Sequence, residues 1–283
     1  MKIKLNGQNV DITLDSEKTV GEVLAAMEKW LADSGHRLSG LAIDGKTINA
    51  SALEEAFSTG VEFVKTIDVF TNSLTELSVQ SLVQIYRDID EYEAASFENR
   101  QIFFESWKLS PQSGLAAEEN PDIYALCLRA FSGEIELHIL RAIVEERLRE
   151  IENPGAELVA LEKLANEASI RLEEFPVDIQ TGKDVRAAET IQIFVNIAEK
   201  LFRIFNILGA QGFPLETIKV GETGISDYVT EFNSVIKEML DAYEAQDTVL
   251  IGDIAEYELA PRLRGLVSAL SRAAVEKSRV TQA

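Results

Sequence analysis

The feature that most constrains this chain is a single change of period. Lys2–Leu5 (K-I-K-L) and Val10–Leu14 (V-D-I-T-L) alternate apolar and polar residues at a period of two, with Asn6-Gly7 between them. Asn-Gly between two such runs is the strongest short-range signal for a β-hairpin, because both turn residues must adopt positive φ. A helix should follow from about Thr19 to Leu31, then a strand Leu41–Ile43, the turn Asp44-Gly45 and a closing strand near Val61–Val69. After Val69 the apolar period is that of a helix and stays so to the end. The expected fold class is α+β. A small mixed domain, 1–69, should precede an acidic all-α helical bundle, 70–283, of about seven helices.

The order hairpin, helix, strand, short turn, strand can be tied to residues. Thr19-Val20-Gly21-Glu22-Val23-Leu24 opens the helix, and Leu41-Ala42-Ile43-Asp44-Gly45-Lys46-Thr47-Ile48 forms a strand–turn–strand with a Gly-Lys. Ala52-Leu53-Glu54-Glu55-Ala56 supplies a short helical turn before the last strand. In these segments residues 1–69 resemble the ubiquitin-like proteins of the β-grasp fold. The carrier members of that fold react through a free C-terminal Gly-Gly. Here the last strand runs into Lys65-Thr66-Ile67-Asp68-Val69-Phe70 with no Gly-Gly, and the chain continues, which excludes carrier chemistry. The resemblance therefore implies a recognition surface or a cap on the neighbouring bundle.

The chain has 283 residues, enough for two domains, and 46% hydrophobic residues, enough for real cores. Its start, Met1-Lys2-Ile3-Lys4-Leu5, lacks the apolar run of a signal peptide, and no apolar segment reaches the about 18 residues of a membrane span. A cytoplasmic location without membrane insertion is the expectation. The single cysteine, Cys127, excludes an internal disulfide. Net charge is −21: residues 1–68 hold 7 Lys/Arg against 11 Asp/Glu, the rest 20 against 37. So acidic a chain is repelled by phosphate backbones and anionic membranes, which argues against nucleic acid as a partner. Acidic faces chiefly keep such a protein soluble; the sharper reading is a docking face for a protein partner with a basic surface.

Periodicity gives a helix Ser73–Ala95, capped by Asn72 or Ser73, with Leu74, Leu77, Leu82, Ile85 and Ile89 inward. Phe97–Leu109 is a short amphipathic piece carrying Phe103, Phe104 and Trp107, and Gln112–Asn120 reads as a surface loop. Further helices are expected at Pro121–Glu152, Gly155–Glu173, Thr181–Leu208, Ser226–Ala245, Val249–Glu258 and Pro261–Lys277. Two seams mark the helix near 185–208: Ala188, Ile191, Val195, Ala198, Phe202 and Phe205, and beside them Phe194, Ile197, Leu201, Ile204 and Leu208. Two seams imply contact on more than one side, a central helix. Phe175-Pro176 and Phe213-Pro214 look like two similar helix exits. Asp88-Ile89-Asp90-Glu91-Tyr92-Glu93 resembles Asp253-Ile254-Ala255-Glu256-Tyr257-Glu258, without the third copy a repeat protein needs.

Motifs that carry chemistry are sparse. Cys127 sits within Ala125-Leu126-Cys127-Leu128, the setting of a core thiol rather than of a reactive thiolate. Gln180-Thr181-Gly182-Lys183-Asp184 lacks the first glycine and the Ser/Thr of a phosphate loop. Two histidines and one cysteine cannot assemble an ordinary zinc site. Glu134, His138, Arg141 and Glu145 follow one ridge with alternating charge, the pattern of a solvent-facing salt-bridge row. An all-carboxylate cation site could draw on Asp88, Asp90 and Glu91, or on Asp253, Glu256 and Glu258. Tyr92 and Tyr257, inside those acidic segments, are candidate partner-binding anchors, with packing at the core edge as the plainer role. The basic C-terminal stretch, Arg262, Arg264, Arg272, Lys277 and Arg279, suits the end of a helix and could also dock on an acidic face of another copy, a route to a homo-oligomer. The leading expectation is a non-enzymatic interaction or scaffold protein without a cofactor. The alternative is a bundle that binds a divalent cation or small ligand through its acidic segments.

Overall fold

The computed structural model describes residues 1–10, 17–33, 36–49 and 52–281; residues 11–14 of the expected second strand, and the side chain of Leu74, lie outside them. The chain is α+β, a five-stranded mixed sheet followed by helices, and it divides into two compact units, Met1–Val144 and Glu145–Ala283.

In the first unit β1 (Lys2–Leu5) and β2 (Gln8–Val10) pair antiparallel around Asn6-Gly7, at φ +49° and +81°. The same turn recurs at Asp44-Gly45, also +49° and +81°, between β3 (His36–Ile43) and β4 (Lys46–Thr47). Two positive φ values in succession are what a tight hairpin needs, and Asn, Asp and Gly tolerate them best. β5 (Thr66–Ser73) inserts between β1 and β3, parallel to the first and antiparallel to the second, giving the order β2-β1-β5-β3-β4. Helix α1 (Val20–Asp33) presents Val20, Val23, Leu24, Met27 and Leu31, spaced three and four apart, to Ile3, Leu41, Ile67 and Val69 of the sheet.

The closing strand was expected to begin near Val61. Instead Val61–Phe63 forms a 3₁₀ turn after the short helix α2 (Leu53–Ser58), and the strand runs on to Ser73. Ser73 then caps α3 (Leu74–Ala94) reciprocally: its Oγ accepts from the Glu76 amide at 3.1 Å, and Glu76 accepts from the Ser73 amide at 2.8 Å. After α4 (Phe97–Lys108), the expected loop Gln112–Asn120 is a helix, α5 (Pro111–Glu119). Ser110 accepts from the Ser113 amide at 3.1 Å and Pro111 takes the first helical position, an ordinary helix start. The expected long helix is broken into α6 (Pro121–Phe131) and α7 (Leu137–Glu152) at Gly133, whose φ of +85° no helix accommodates.

In the second unit α8 (Pro154–Gln180) and α9 (Asp184–Ala210) are long neighbours. Phe175-Pro176 is not an exit: α8 continues through it, because the buried side chains of Phe175 and Asp178 hold the next turn in place. Phe213-Pro214 does lie in a loop, followed by a 3₁₀ turn and a short hairpin, β6 (Lys219–Val220) and β7 (Thr223–Gly224), a strand pair within a domain expected to be all-α. On α9 the seam Phe194, Ile197, Leu201, Ile204, Leu208 is fully buried, whereas Ala188 and Val195 of the other seam are exposed. α10 (Ile225–Glu244) buries Ile225, Phe232, Val235, Met239 and Ala242.

The last two expected helices are one rod. α11 (Thr248–Asp253) passes through a π-helical stretch, Ile254–Leu259, into α12 (Ala260–Thr281). In an α-helix the ring of Pro261 would collide with the carbonyl four residues back, at position 257. The wider π turn shifts bonding to the fifth residue and opens that space.

Phe232, fully buried against Phe194 and Phe202, tests this packing. Phe232→Ala should cost about 3–5 kcal/mol in urea unfolding, whereas Val249→Ala, on the surface, should change stability by less than about 0.5 kcal/mol.

Candidate functional site

The two look-alike acidic segments occupy unlike surroundings. In α3, Asp88 is buried and accepts from the Trp107 indole Nε1 at 2.7 Å and from Gln84 Nε2 at 2.9 Å. Asp90 instead faces Arg141 Nη1 at 2.8 Å, Glu93 takes Arg141 Nη2 at 2.9 Å, and Glu91 is exposed. Tyr92 is half-buried, its hydroxyl donating to the Phe131 carbonyl at 3.0 Å and its ring 4.8 Å from that of Phe131. Phe103, Phe104 and Trp107 complete this aromatic cluster. Cys127 is buried nearby, and loss of solvent, reinforced by the charge of Asp88, pushes its thiol up to about 12. Such a thiol is not a nucleophile at neutral pH.

Of the expected salt-bridge row, Glu134 lies off the helix ridge. Glu134 precedes α7 and pairs with Arg129 at 3.6 Å, while Arg141 reaches across to α3. His138 is exposed.

In the second segment Asp253 ends α11 and the other five residues lie in the π turn. Ile254, Ala255 and Leu259 face the core, Glu258 pairs with Arg262, and Tyr257 stands outside. The Glu256 carboxylate accepts from the Tyr257 hydroxyl and holds it above its usual range. Among the described residues no three of His, Cys, Asp and Glu come together as a metal ion would require.

The surface around Tyr257 is the feature that sequence reading missed. From Leu240 to Leu250 every residue but Ala242 is exposed. Leu240 is 60% exposed, Tyr243 72%, Val249 71%, Leu250 45% and Tyr257 63%. The cause is local. α10 spends its apolar stripe, Phe232, Val235, Met239 and Ala242, on the core, so Leu240 and Tyr243 fall off it. Gln246, at φ +55°, turns the chain, and Asp247 caps α11 by accepting from the Leu250 amide at 3.0 Å. Gly252 then brings α11 against α8, where a Cβ would lie 3.2 Å from Pro176 Cβ, and Val249 and Leu250 remain outside. α10, α11 and the π turn contact one another, so they form one ledge.

Two charged groupings elsewhere in the second unit are internally balanced. At the α8–α9 turn an open depression is lined by Arg171, Lys183 and Arg186 among others, but Arg171 meets Glu189 at 3.2 Å, and Lys183 and Arg186 each lie 3.3 Å from buried Asp178. Between α7, α8 and α9, Glu150 is 1% exposed and its two oxygens accept from Arg203 at 2.9 and 3.0 Å. Lys200 bridges Glu146 at 2.5 Å and Glu157 at 2.7 Å beside it. Loss of solvent pushes the Glu150 carboxyl from 4.5 up to about 7, opposed by Arg147 and Lys200 and reinforced by Glu146 and Glu157.

Because the folded chain keeps the Glu150 proton to higher pH than the unfolded chain, this group's contribution to stability is complete below 4.5 and lost as pH rises to about 7. Glu150→Gln should flatten the stability–pH curve in that window, and an unchanged slope would count against the assignment. Glu150→Ala, which strands Arg203, should cost about 3 kcal/mol in denaturant unfolding.

No helix among the described residues is long and apolar enough to cross a membrane. Residues 1–73 match the family model described as "TP0873 N-terminal domain", and residues 157–268, which include the ledge, match "Domain of unknown function (DUF8042)". A Treponema pallidum (strain Nichols) protein described as "Uncharacterized protein" is 24% identical over 266 residues, 94% of this chain and 94% of its own length. No solved structure gives a significant match.

Proposed function

We propose that this chain is a non-enzymatic interaction protein whose binding face is the ledge formed by the end of α10, α11 and the π turn. One observation carries the reading: five large apolar or aromatic side chains, Leu240, Tyr243, Val249, Leu250 and Tyr257, stand in solvent on three consecutive elements. Isolated exposed apolar residues are ordinary, but a grouped set rimmed by polar residues marks interaction surfaces. Tyrosine is enriched there because a large rigid ring is buried at small entropic cost while its hydroxyl keeps a polar partner. Tyr257 thus keeps the anchoring role read from sequence, whereas Tyr92 is a packing residue.

In the same reading residues 1–69 are a ubiquitin-like β-grasp module, a support or second recognition surface for the helices. The sheet order β2-β1-β5-β3-β4, with β1 and β5 parallel and α1 across one face, supports this. So does a separate family match that ends at residue 73.

A photo-crosslinking residue at position 243 of the full chain, expressed in its native cell, tests the reading. The expected result is one dominant protein adduct that disappears when Leu250→Ala and Tyr257→Ala are added. No adduct, or specific turnover of a small molecule by the purified protein, contradicts it.

A further inference from the structure

The ledge has a second property besides its apolar anchors. Residues 238–258 hold seven Asp/Glu and no Lys or Arg. Glu238, Asp241, Glu244, Asp247 and Asp253 are all exposed, interleaved with the apolar side chains. Glu258 pairs with Arg262, from the following turn. These packed elements therefore expose apolar side chains among carboxylates and carry no cation of their own between 238 and 258.

Resting on the interaction reading above, we infer that the occupant of this ledge is a basic amphipathic helix of a partner protein. Its apolar stripe at i, i+3/i+4 and i+7 would cover the exposed anchors, while flanking Lys and Arg would meet the carboxylate rim. Leu240 and Tyr243 lie three apart on α10, and Val249, Leu250 and Tyr257 follow on α11 and the π turn, offering several anchors to such a helix. Charge decides between occupants. A second copy docking through the same face would set seven carboxylates against seven, and like charges brought together cost several kcal/mol. Nucleic acid is repelled for the same reason. A cationic helix is attracted, and the acidic rim should speed its encounter.

The test uses the full-length protein and a fluorescent Leu/Lys amphipathic peptide of about 18 residues, long enough for an i, i+3/i+4, i+7 stripe. Two control peptides are the Leu/Glu counterpart and a scrambled Leu/Lys sequence. Anisotropy titrations are run against the parent, Tyr243→Ala/Leu250→Ala and Asp241→Lys/Glu244→Lys. The expected result is saturable binding of the amphipathic cationic peptide, weakened at least about tenfold by the first double variant, as loss of central aromatic and aliphatic anchors does. The charge-reversed variant should bind more weakly and with a shallower salt dependence. Equal affinity for the scrambled peptide, binding of the Leu/Glu peptide, or indifference to both variants overturns the inference. So does sedimentation showing a dimer of the parent that Tyr243→Ala/Leu250→Ala abolishes. The crosslinking experiment separates the two levels: a dominant adduct with a non-basic segment leaves the interaction reading standing and removes the basic helix, whereas no adduct removes both.

Discussion

Pro261 sits within a continuous helical rod from Thr248 to Thr281, and the second unit is organised around how the rod accommodates it. A proline inside an α-helix forfeits one hydrogen bond and crowds the preceding turn, at a cost of about 3 kcal/mol. The π stretch Ile254–Leu259 relieves the crowding and re-aims the side chains around it. Ile251, Ile254, Ala255 and Leu259 before and within the stretch, and Leu263, Leu266 and Leu270 after it, all reach one core with α8, α9 and α10. Burial of each such side chain contributes about 1.5–3 kcal/mol, enough to hold a strained turn several times over. Tyr257 stands outside that core.

Charge follows the same division between inside and outside. Within the second unit the carboxylate of Glu150 and the cations of Arg203 and Lys200 are spent on one another between α7, α8 and α9. At the α8–α9 turn, Asp178 likewise absorbs Lys183 and Arg186. Cations are few in a chain of net charge −21, and these pairings commit several of them to the buried carboxylates Glu150 and Asp178. The stretch 238–258 contains none of its own, and Arg262 reaches it at Glu258. Its carboxylates stand among exposed apolar side chains, an arrangement suited to recognition by a partner of opposite sign.

Much of the fold was legible because local signals and tertiary packing agree. The Asn6-Gly7 and Asp44-Gly45 turns, the Val20-to-Leu31 stripe, the Ser73 cap and the Phe194-to-Leu208 seam each have a local cause that the packing reinforces. Misreadings arose where one residue was given the wrong weight. Gly133 ends a helix that periodicity carries through it, Ser110-Pro111 starts one, Pro176 resembles a helix exit and Pro261 a helix start, yet at both prolines burial carries one helix through. At the site, Tyr257 was singled out from its neighbours in sequence, but its twin Tyr92 was not separable from it. Only the packing of Phe131 and Trp107 around the first segment, and the π turn beneath the second, distinguish them. Leu240 and Tyr243 left a trace in the sequence: they lie off the stripe Phe232, Val235, Met239, Ala242. Val249 and Leu250 left none, since their exposure depends on Gly252 meeting Pro176.

The central claim is that the ledge at 238–258 is where this protein meets its partner. Hydrogen–deuterium exchange of the full chain, captured from its native cells with bound protein and compared with the same chain stripped of it, tests this most directly. The account predicts slowed exchange concentrated in 238–258, with the sheet and the α7–α9 ion network unchanged. Protection centred on the N-terminal sheet or on the α8–α9 turn, with 238–258 unaffected, would contradict it.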